Sequence, residues 1–187
     1  MLELCTDIGY VSINKQGELL CGDHVEQVEP GDGSVVLVLA DGLGSGVKAS
    51  ILSTLTSKII STMMANGLTV EDCVSTIAAT LPVCSQRHVA YSTFTILRIT
   101  PNAEAEIIQY DNPHTIFLRE GKHVEYPEIC ERIDGKNVYK SRLNLREGDV
   151  LIAMSDGVLH ASEGKNLNLK WDRDAIIDFL ETMYRCV

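Results

Sequence analysis

Three features that would each point to a particular class of protein are missing from this sequence. Its six cysteines form no C-x-x-C pair, which argues against a zinc site and favours free thiols in a reducing compartment. The longest apolar runs, Val35–Ala40 and Val150–Met154, are far too short to span a bilayer. The N-terminus lacks the charged-then-apolar pattern of a signal peptide, so we expect a cytoplasmic protein with no membrane insertion.

Positive charge is also scarce. The chain carries 26 acidic and 16 basic residues, which gives a net charge of −10. Because no basic stripe appears, we expect neither nucleic acid nor an anionic membrane surface as a partner. An acidic enzyme that handles phosphate needs a local source of positive charge, and a bound metal ion could supply it.

The order of the predicted elements indicates the fold class. The length of 187 residues suits one domain, residues 1–187. Patterns of alternation and turn residues predict strands over Ile8–Ile13, Glu18–Cys21, Val25–Val28, Val35–Ala40, Tyr91–Ile99, Glu104–Tyr110, Thr115–Arg119, Lys122–Glu125, Tyr139–Asn144 and Val150–Met154. The close spacing of the later strands suggests an antiparallel meander. With two helices after the early strands and one at the end, we expect an α+β fold, an antiparallel β-sandwich flanked by α-helices.

Apolar side chains mark the first helix. Val47, Ile51 and Leu55 begin a stripe at helical spacing that ends at Asn66-Gly67, with Ser and Thr on the other face. We expect this stripe to pack on the sheet, although a homodimer through the long helices is an alternative. A capping box at Thr69-Val-Glu-Asp predicts the second helix, and the last helix covers roughly Asp172–Arg185.

The segment Ser34–Asn66 holds the strongest chemical signal. An apolar strand ends at Asp41, and Gly42, Gly44 and Gly46 lead into the helix. A carboxylate at the end of a rigid strand is held as a metal ligand must be, and the Gly42 carbonyl could face the same cation. Hard oxygen ligands of this kind suit Mg²⁺ or Mn²⁺. On this segment alone, an aspartate that only caps the helix is an equal alternative.

Two further aspartates favour the metal interpretation. A second apolar strand ends in Ser155-Asp156-Gly157, and Asp23 follows an early predicted strand. Three carboxylates that meet at one place repel each other strongly unless a cation lies between them. With two metal ions they form the usual clamp for attack of water on phosphorus.

These motifs, in this order, resemble those of the metal-dependent (PPM, type 2C) protein phosphatases, and in particular the bacterial branch typified by sporulation stage II protein E. The resemblance covers roughly residues 8–160 and is carried by Gly22-Asp23, Ala40-Asp-Gly-Leu-Gly-Ser-Gly46, Tyr91-Ser-Thr-Phe-Thr, Asp111-Asn-Pro-His114, Arg146-Glu-Gly-Asp149 and Ser155-Asp-Gly157. It implies a fold of α-β-β-α layers and two bound ions, Mn²⁺ or Mg²⁺.

The resemblance also implies a role for each site residue. Asp41 would bridge the two metal ions, Asp23 and the Gly42 carbonyl would serve one of them, and Asp156 the other. A metal-bound water would attack phosphoserine or phosphothreonine without a covalent phosphoenzyme. The implied partner is a phosphorylated bacterial signalling protein, such as a STAS-type anti-sigma factor antagonist.

One departure from the family pattern leaves an alternative open. The family usually has a further aspartate before a last strand, whereas this sequence offers only Asp172, Asp174 and Asp178 after Asp156. Either the sequence is C-terminally truncated, or it is a short variant that lacks one ligand and the last strand. The alternative function is therefore a catalytically weak or inactive regulatory binding module on the same fold.

Other phosphate and nucleotide sites fit less well. The loop Gly42–Val47 loosely resembles a dinucleotide-binding turn, but its third glycine is misplaced and no parallel strand follows promptly. A haloacid-dehalogenase-type phosphatase needs an acid at the position of Leu43. A receiver domain needs an acidic pair and an alternation of strands and helices that the sequence lacks. Of the basic residues, Arg87 or Arg98 could bind substrate phosphate, and we expect His24 in a solvated loop.

Overall fold

The computed structural model describes residues 5–80, 92–161 and 171–185. The strands are β1 (Asp23–Val28), β2 (Val35–Gly42), β3 (Ser92–Ile99), β4 (Glu104–Tyr110), β5 (Ile116–Arg119), β6 (Lys122–His123), β7 (Ile129–Ile133), β8 (Lys136–Asn144) and β9 (Val150–Ile152). The helices are α1 (Gly46–Ala65), α2 (Val70–Thr80), α3 (Asp156–Leu159) and α4 (Arg173–Tyr184). Six strands form one sheet in the order β1-β2-β3-β4-β8-β7, and three form a second in the order β6-β5-β9.

Helices α1 and α2 cover one face of the six-stranded sheet. Alternate residues of its central strands point to this side and are fully buried, as strand periodicity requires. They form the main core together with apolar side chains from both helices: Val36, Val38, Phe94, Ile96, Ile108, Val138, Leu52, Ile60, Val74 and Ile77. This packing fixes α1 directly behind the strands that carry the first two predicted site aspartates.

The opposite face of the large sheet carries a different set of buried residues, among them Leu97, Ile107 and Gln109. The Gln109 side-chain oxygen accepts hydrogen bonds from the Thr115 backbone amide and hydroxyl, at 2.6 and 2.7 Å, just before β5 enters the small sheet. Helix α4 packs on the small sheet in a second cluster, where Ile176 is buried with Ile116 and Leu118. The predicted α+β fold of antiparallel sheets flanked by helices is therefore confirmed.

The prediction that the apolar stripe of helix α1 packs on the sheet was right for only part of the stripe. Its first residues, Val47, Ile51 and Leu55, face outward, with exposures of 63%, 54% and 47%. Its later residues Ile59 and Met63 pack against the core. The buried face combines the apolar side chains beside the stripe with small and hydroxyl ones: Leu52, Ile60, Met64, Ala49, Ser53, Thr56, Ser57 and Ser61.

The hydroxyl groups on the buried face of α1 lose little free energy on burial, because each one keeps a hydrogen-bond partner. Ser53, Thr56, Ser57 and Ser61 donate to carbonyls three or four residues earlier in the same helix, so their burial leaves no hydroxyl without a partner. Helix α1 approaches the sheet most closely at Gly42, where an added Cβ atom would lie 2.0 Å from the Ala49 carbonyl oxygen.

Several element predictions were wrong. No strand forms at Ile8–Ile13 or Glu18–Cys21, and Val11, Ile13 and Leu19 are more than 80% exposed, so the alternating pattern has no face to bury there. Strand β7 and the short α3 were not predicted. The later strands are also not one meander, because β5, β6 and β9 form the second sheet.

The helix boundaries were predicted well where capping residues mark them. The Thr69 backbone amide donates to Asp72 Oδ2 at 3.1 Å, and the Asp72 amide donates to Thr69 Oγ1 at 3.2 Å, which is the reciprocal pattern of a capping box. Gly67 follows the end of α1 with a positive φ of 75°, as helix-ending glycines do. Among the described residues, no helix is long and apolar enough to cross a membrane.

Candidate active site

The first two site aspartates lie side by side on neighbouring strands. Asp23 begins β1 and Asp41 lies near the end of β2, and the antiparallel register makes them direct partners. On the other side of Asp41, the partner in β3 is Thr93. Directly opposed residues point to the same face with Cβ atoms about 4.5–5.5 Å apart, so both carboxyl groups stand at one end of the large sheet.

The third aspartate, Asp156, lies just after the last strand of the small sheet. Asp156 is the first residue of α3, a few residues after β9. The preceding residue joins the two sheets, because the Ser155 hydroxyl donates to Asp23 Oδ2 at 2.7 Å. All three predicted aspartates therefore come together at the end of the sandwich.

The pKa of Asp41 reflects the closeness of the three carboxyl groups. Burial, followed by the charges of Asp23 and Asp156 and hydrogen bonds with both, together raise the pKa of Asp41 from 3.8 to about 8. A carboxyl group with this environment holds a proton at neutral pH unless a cation compensates the negative charge. The site is therefore built around a carboxyl group that favours a cation as neighbour.

Gly42 is required for a reason other than a special backbone angle. Its φ is not in the left-handed region, unlike those of Gly44 and Gly46. A Cβ atom added at Gly42 would lie 2.0 Å from the backbone oxygen of Ala49 in α1. The glycine therefore lets helix and strand touch beside Asp41, and the Gly42 amide donates to the Gly22 carbonyl at 3.1 Å on the Asp23 side.

Hydroxyl and amide groups support the same end of the sheet. The Ser92 hydroxyl donates to the Asp41 carbonyl oxygen at 3.0 Å. The Thr93 hydroxyl donates to Asn112 Oδ1 at 2.5 Å, and the Asn112 amide donates to Thr95 Oγ1 at 3.2 Å. These bonds tie the turn after β4 to the strand beside Asp41.

A fourth carboxyl group lies in this turn, and sequence reasoning missed it. Asp111 follows β4 with a positive φ of 55°. Burial raises the pKa of Asp111, as does the charge of Asp156, while Lys136 opposes the shift. The sequence offers one signal for Asp111, an aspartate at a strand end, which is the signal that also marks Asp41.

The aspartates near the C-terminus do not join the cluster. Asp172 caps α4 by accepting from the Ala175 amide at 3.0 Å, and Asp174 and Asp178 are exposed on that helix. Of the other predicted candidates, Arg98 pairs with Asp32 at the far end of β2, at 2.6 Å. Arg87 lies outside the described residues.

The prediction for His24 was wrong, because it is not in a loop. It is the second residue of β1 and its Nδ1 lies 2.9 Å from the Ser57 hydroxyl of α1.

The donor set fits divalent metal ions. No group of three or more His, Cys, Asp or Glu side chains in residues 5–80, 92–161 and 171–185 already has the spacing of a metal site. The convergence of carboxyl groups on Asp41 nevertheless provides hard oxygen donors of the type that Mg²⁺ and Mn²⁺ prefer. Their mutual repulsion, visible in the raised pKa of Asp41, is what a bound cation would relieve.

Comparison with known proteins identifies the family. The family model described as "Stage II sporulation protein E (SpoIIE)" matches residues 31–184. The chain belongs to this family. A curated relative, stage II sporulation protein E of Bacillus subtilis (strain 168), is 26% identical over 157 residues, which are 77% of this chain and 18% of the relative. The chain thus spans less than a fifth of that relative's length.

Solved structures show the same fold. The PP2C phosphatase domain of SpoIIE from Bacillus subtilis, with a fragment of its regulatory domain, is 22% identical with a TM-score of 0.68 over 93% of this chain and 55% of that one. A structure described as the S. agalactiae serine/threonine phosphatase has a TM-score of 0.63 at 14% identity, over 92% of this chain and 90% of that one. RsbX in complex with magnesium has a TM-score of 0.59 at 18% identity, covering 92% and 84%.

Proposed function

We propose that this chain is a metal-dependent protein phosphatase domain that hydrolyses phosphoserine or phosphothreonine on a bacterial signalling protein. The observation that carries the proposal is the meeting of Asp23, Asp41 and Asp156 from β1, β2 and α3 at one end of the sandwich. Membership of the SpoIIE family and the fold shared with PP2C phosphatase domains support it.

Each residue has a distinct task in this proposal. Asp41, which contacts both neighbouring carboxyl groups, would bind both ions; Asp23 and the Gly42 carbonyl would bind one ion, and Asp156 the other. When bound, Mn²⁺ or Mg²⁺ would neutralise the phosphoryl oxygens and lower the pKa of a water that attacks phosphorus. The magnesium in a structural neighbour supports a divalent cation without fixing which one this chain uses.

The remaining residues of the site hold these ligands in place. Ser92 fixes the backbone at Asp41, and the bonds between Thr93, Asn112 and Thr95 fix the Asp111 turn. Asp111 adds a carboxyl group near enough to Asp156 for their charges to interact, and we propose that it could take the place of the acid that the sequence lacks after Asp156. This carboxyl group favours a competent metal site over an inactive binding module.

A phosphorylated substrate suits the acidic character of the site. The described groups that act on Asp41 are carboxyl groups, so the phosphoryl group would be held mainly through the bound ions. We propose a phosphorylated STAS-type anti-sigma factor antagonist as the partner, since one neighbour contains domains named RsbU and RsbW and another belongs to the bacterial stressosome. Each of these neighbours is similar to the chain in fold.

The test is hydrolysis with and without Mn²⁺. We expect the chain to release phosphate from p-nitrophenyl phosphate and from a phosphoserine peptide only when Mn²⁺ or Mg²⁺ is present. Asp41→Ala should lower kcat/KM at least about 100-fold, because the variant loses the ligand shared by both ions. Asp174→Ala, which removes an exposed carboxylate of α4, is the matched control and should retain activity. Equal turnover with EDTA and with Mn²⁺ would contradict the proposal.

A further inference from the structure

One hydrogen bond links the two sheets directly at the aspartate cluster. The Ser155 hydroxyl, from the end of the small sheet, donates to Asp23 Oδ2 at 2.7 Å, although the two residues are 132 positions apart in sequence. Ser155 is 7% exposed, so water does not compete freely for this bond. A short bond from a buried hydroxyl to a carboxylate restricts the rotation of that carboxylate.

Ser155 lies at a position where a serine usually caps a helix, but its side chain does not do so here. Ser155 is the N-cap residue of α3, and a serine at that position usually accepts a hydrogen bond from a backbone amide of the first turn. Here the side chain makes no capping hydrogen bond. The hydroxyl group is therefore committed to Asp23, and capping does not explain why a serine stands there.

The bond has a direct consequence for the site. One carboxylate oxygen of Asp23 is held by Ser155, while the carboxyl group as a whole lies close enough to Asp41 to share a hydrogen bond with it. The Asp23 amide is held as well, since it donates to Cys21 Sγ at 3.4 Å. Asp23 is thus held at its backbone amide and at one carboxylate oxygen, so the orientation of its carboxylate next to Asp41 depends on Ser155.

We propose that Ser155 is a positioning residue that orients Asp23 as a metal ligand and couples the two sheets across the site. This inference rests on the proposed function, because it assumes that Asp23 binds a divalent cation. Hydrogen-bonding partners of metal ligands typically contribute about 10- to 100-fold to metal affinity. We expect Ser155→Ala to weaken Mn²⁺ binding by a factor in that range.

The experiment measures Mn²⁺ binding by isothermal titration calorimetry, independently of turnover. The variants are Ser155→Ala, Ser155→Thr and Ser45→Ala. Ser45 is the matched control, because its hydroxyl also donates to a carboxylate, Glu18 Oε1 at 2.9 Å, but outside the aspartate cluster. We expect a 10- to 100-fold loss for Ser155→Ala, recovery to within about threefold for Ser155→Thr, which keeps the hydroxyl, and no change for Ser45→Ala.

A second measurement separates positioning from a general loss of structure. In an Asp23→Ala background, which removes the acceptor of the Ser155 bond, adding Ser155→Ala should change the remaining Mn²⁺ affinity less than about twofold, because its effect passes through the Asp23 carboxylate. The Mn²⁺ concentration for half-maximal hydrolysis should rise for Ser155→Ala, while kcat at saturating Mn²⁺ stays within about twofold.

The outcomes are distinct. Wild-type binding in Ser155→Ala, or an equal loss with and without the Asp23 carboxylate, overturns the positioning role and leaves the proposed function intact. A wild-type protein that binds no Mn²⁺ overturns the proposed function and this inference together.

Discussion

Replacing Asp41 by asparagine should stabilise the metal-free protein while removing its metal site. The pKa of Asp41 is raised from 3.8 to about 8, first by burial and then by Asp23 and Asp156. Between these two pH values the folded state holds a proton that the unfolded chain has released, so the stability of the metal-free protein falls as pH rises through this window. Asparagine carries no such proton, so the variant avoids the loss.

The size of the effect follows from the shift. At pH 7.5 each pKa unit corresponds to ~1.4 kcal/mol, which gives an upper bound of about 5 kcal/mol for Asp41. Because the side chain is only partly buried, solvent screening reduces this value, and we expect about 2 kcal/mol. The difference between Asp41→Asn and wild type should grow from about pH 4 to about pH 8 and then stay level.

Urea denaturation in EDTA at several pH values measures this difference. The matched control is Asp32→Asn before the other end of β2, where bonds from Ser34, and then from Arg98, lower the pKa of Asp32 to about 2. That carboxylate contributes stability above pH 3.8 that is lost as pH falls toward 2, so its removal should destabilise the protein at neutral pH. If Asp41→Asn is no more stable than wild type at pH 7.5, the carboxyl groups do not converge as described.

Three further predictions concern packing and charge. Gly42→Ala should cost about 3 kcal/mol or more of unfolding free energy in urea, since its Cβ would overlap the Ala49 carbonyl oxygen; a loss below about 1 kcal/mol would argue against the close approach of α1. Arg119→Ala should cost about 1–3 kcal/mol in the same assay, because the Asp149 side chain, 2% exposed, loses the Arg119 guanidinium at 2.6 Å and keeps, among the described residues, only the Arg146 amide as a hydrogen-bond donor; no measurable loss would mean that this ion pair is screened by solvent. Ile51→Ser, on the outer face of α1, should change the free energy of unfolding by less than about 0.5 kcal/mol. Ser57→Ile, on the buried face, should cost about 1–3 kcal/mol in the same assay. A larger loss for Ile51→Ser than for Ser57→Ile would mean that Ile51 faces the sheet.

The site could be predicted from the sequence better than the packing around it. Asp41 and Asp156 each end an apolar strand and precede a glycine, and this local signal survives because it depends on strand ends and turns alone. Asp111 gives a weaker version of the same signal, without the glycine, and was missed. Its place beside Asp156 depends on how β4 and the small sheet meet, which no local pattern records.

Helix α1 shows why an apolar stripe does not always indicate the buried face. Burial of Ser53, Thr56 and Ser57 is tolerated because each hydroxyl has an acceptor within its own helix. The approach of α1 to β2 at Gly42 then favours small side chains between them. Periodicity located the helix correctly but could not determine its rotation, because that depends on the shape of the surface it packs against.

Strand β7 is marked in the sequence by the turn that follows it. Asp134 and Gly135 both have positive φ, 47° and 79°, and join β7 to β8 in a two-residue hairpin turn of the kind that Asp-Gly favours. The strand itself is mostly exposed, so its residues show little apolar alternation. The Asp-Gly turn is therefore a stronger sequence signal for this hairpin than the residues of β7 itself.

The central claim, that Asp23, Asp41 and Asp156 hold divalent cations, is tested most directly by anomalous X-ray scattering from crystals of the protein grown with Mn²⁺. The account predicts manganese peaks between these three carboxylates, next to the Gly42 carbonyl, and none there in crystals of Asp41→Asn. Well-diffracting crystals at saturating Mn²⁺ with no peak at this end of the sandwich would contradict it.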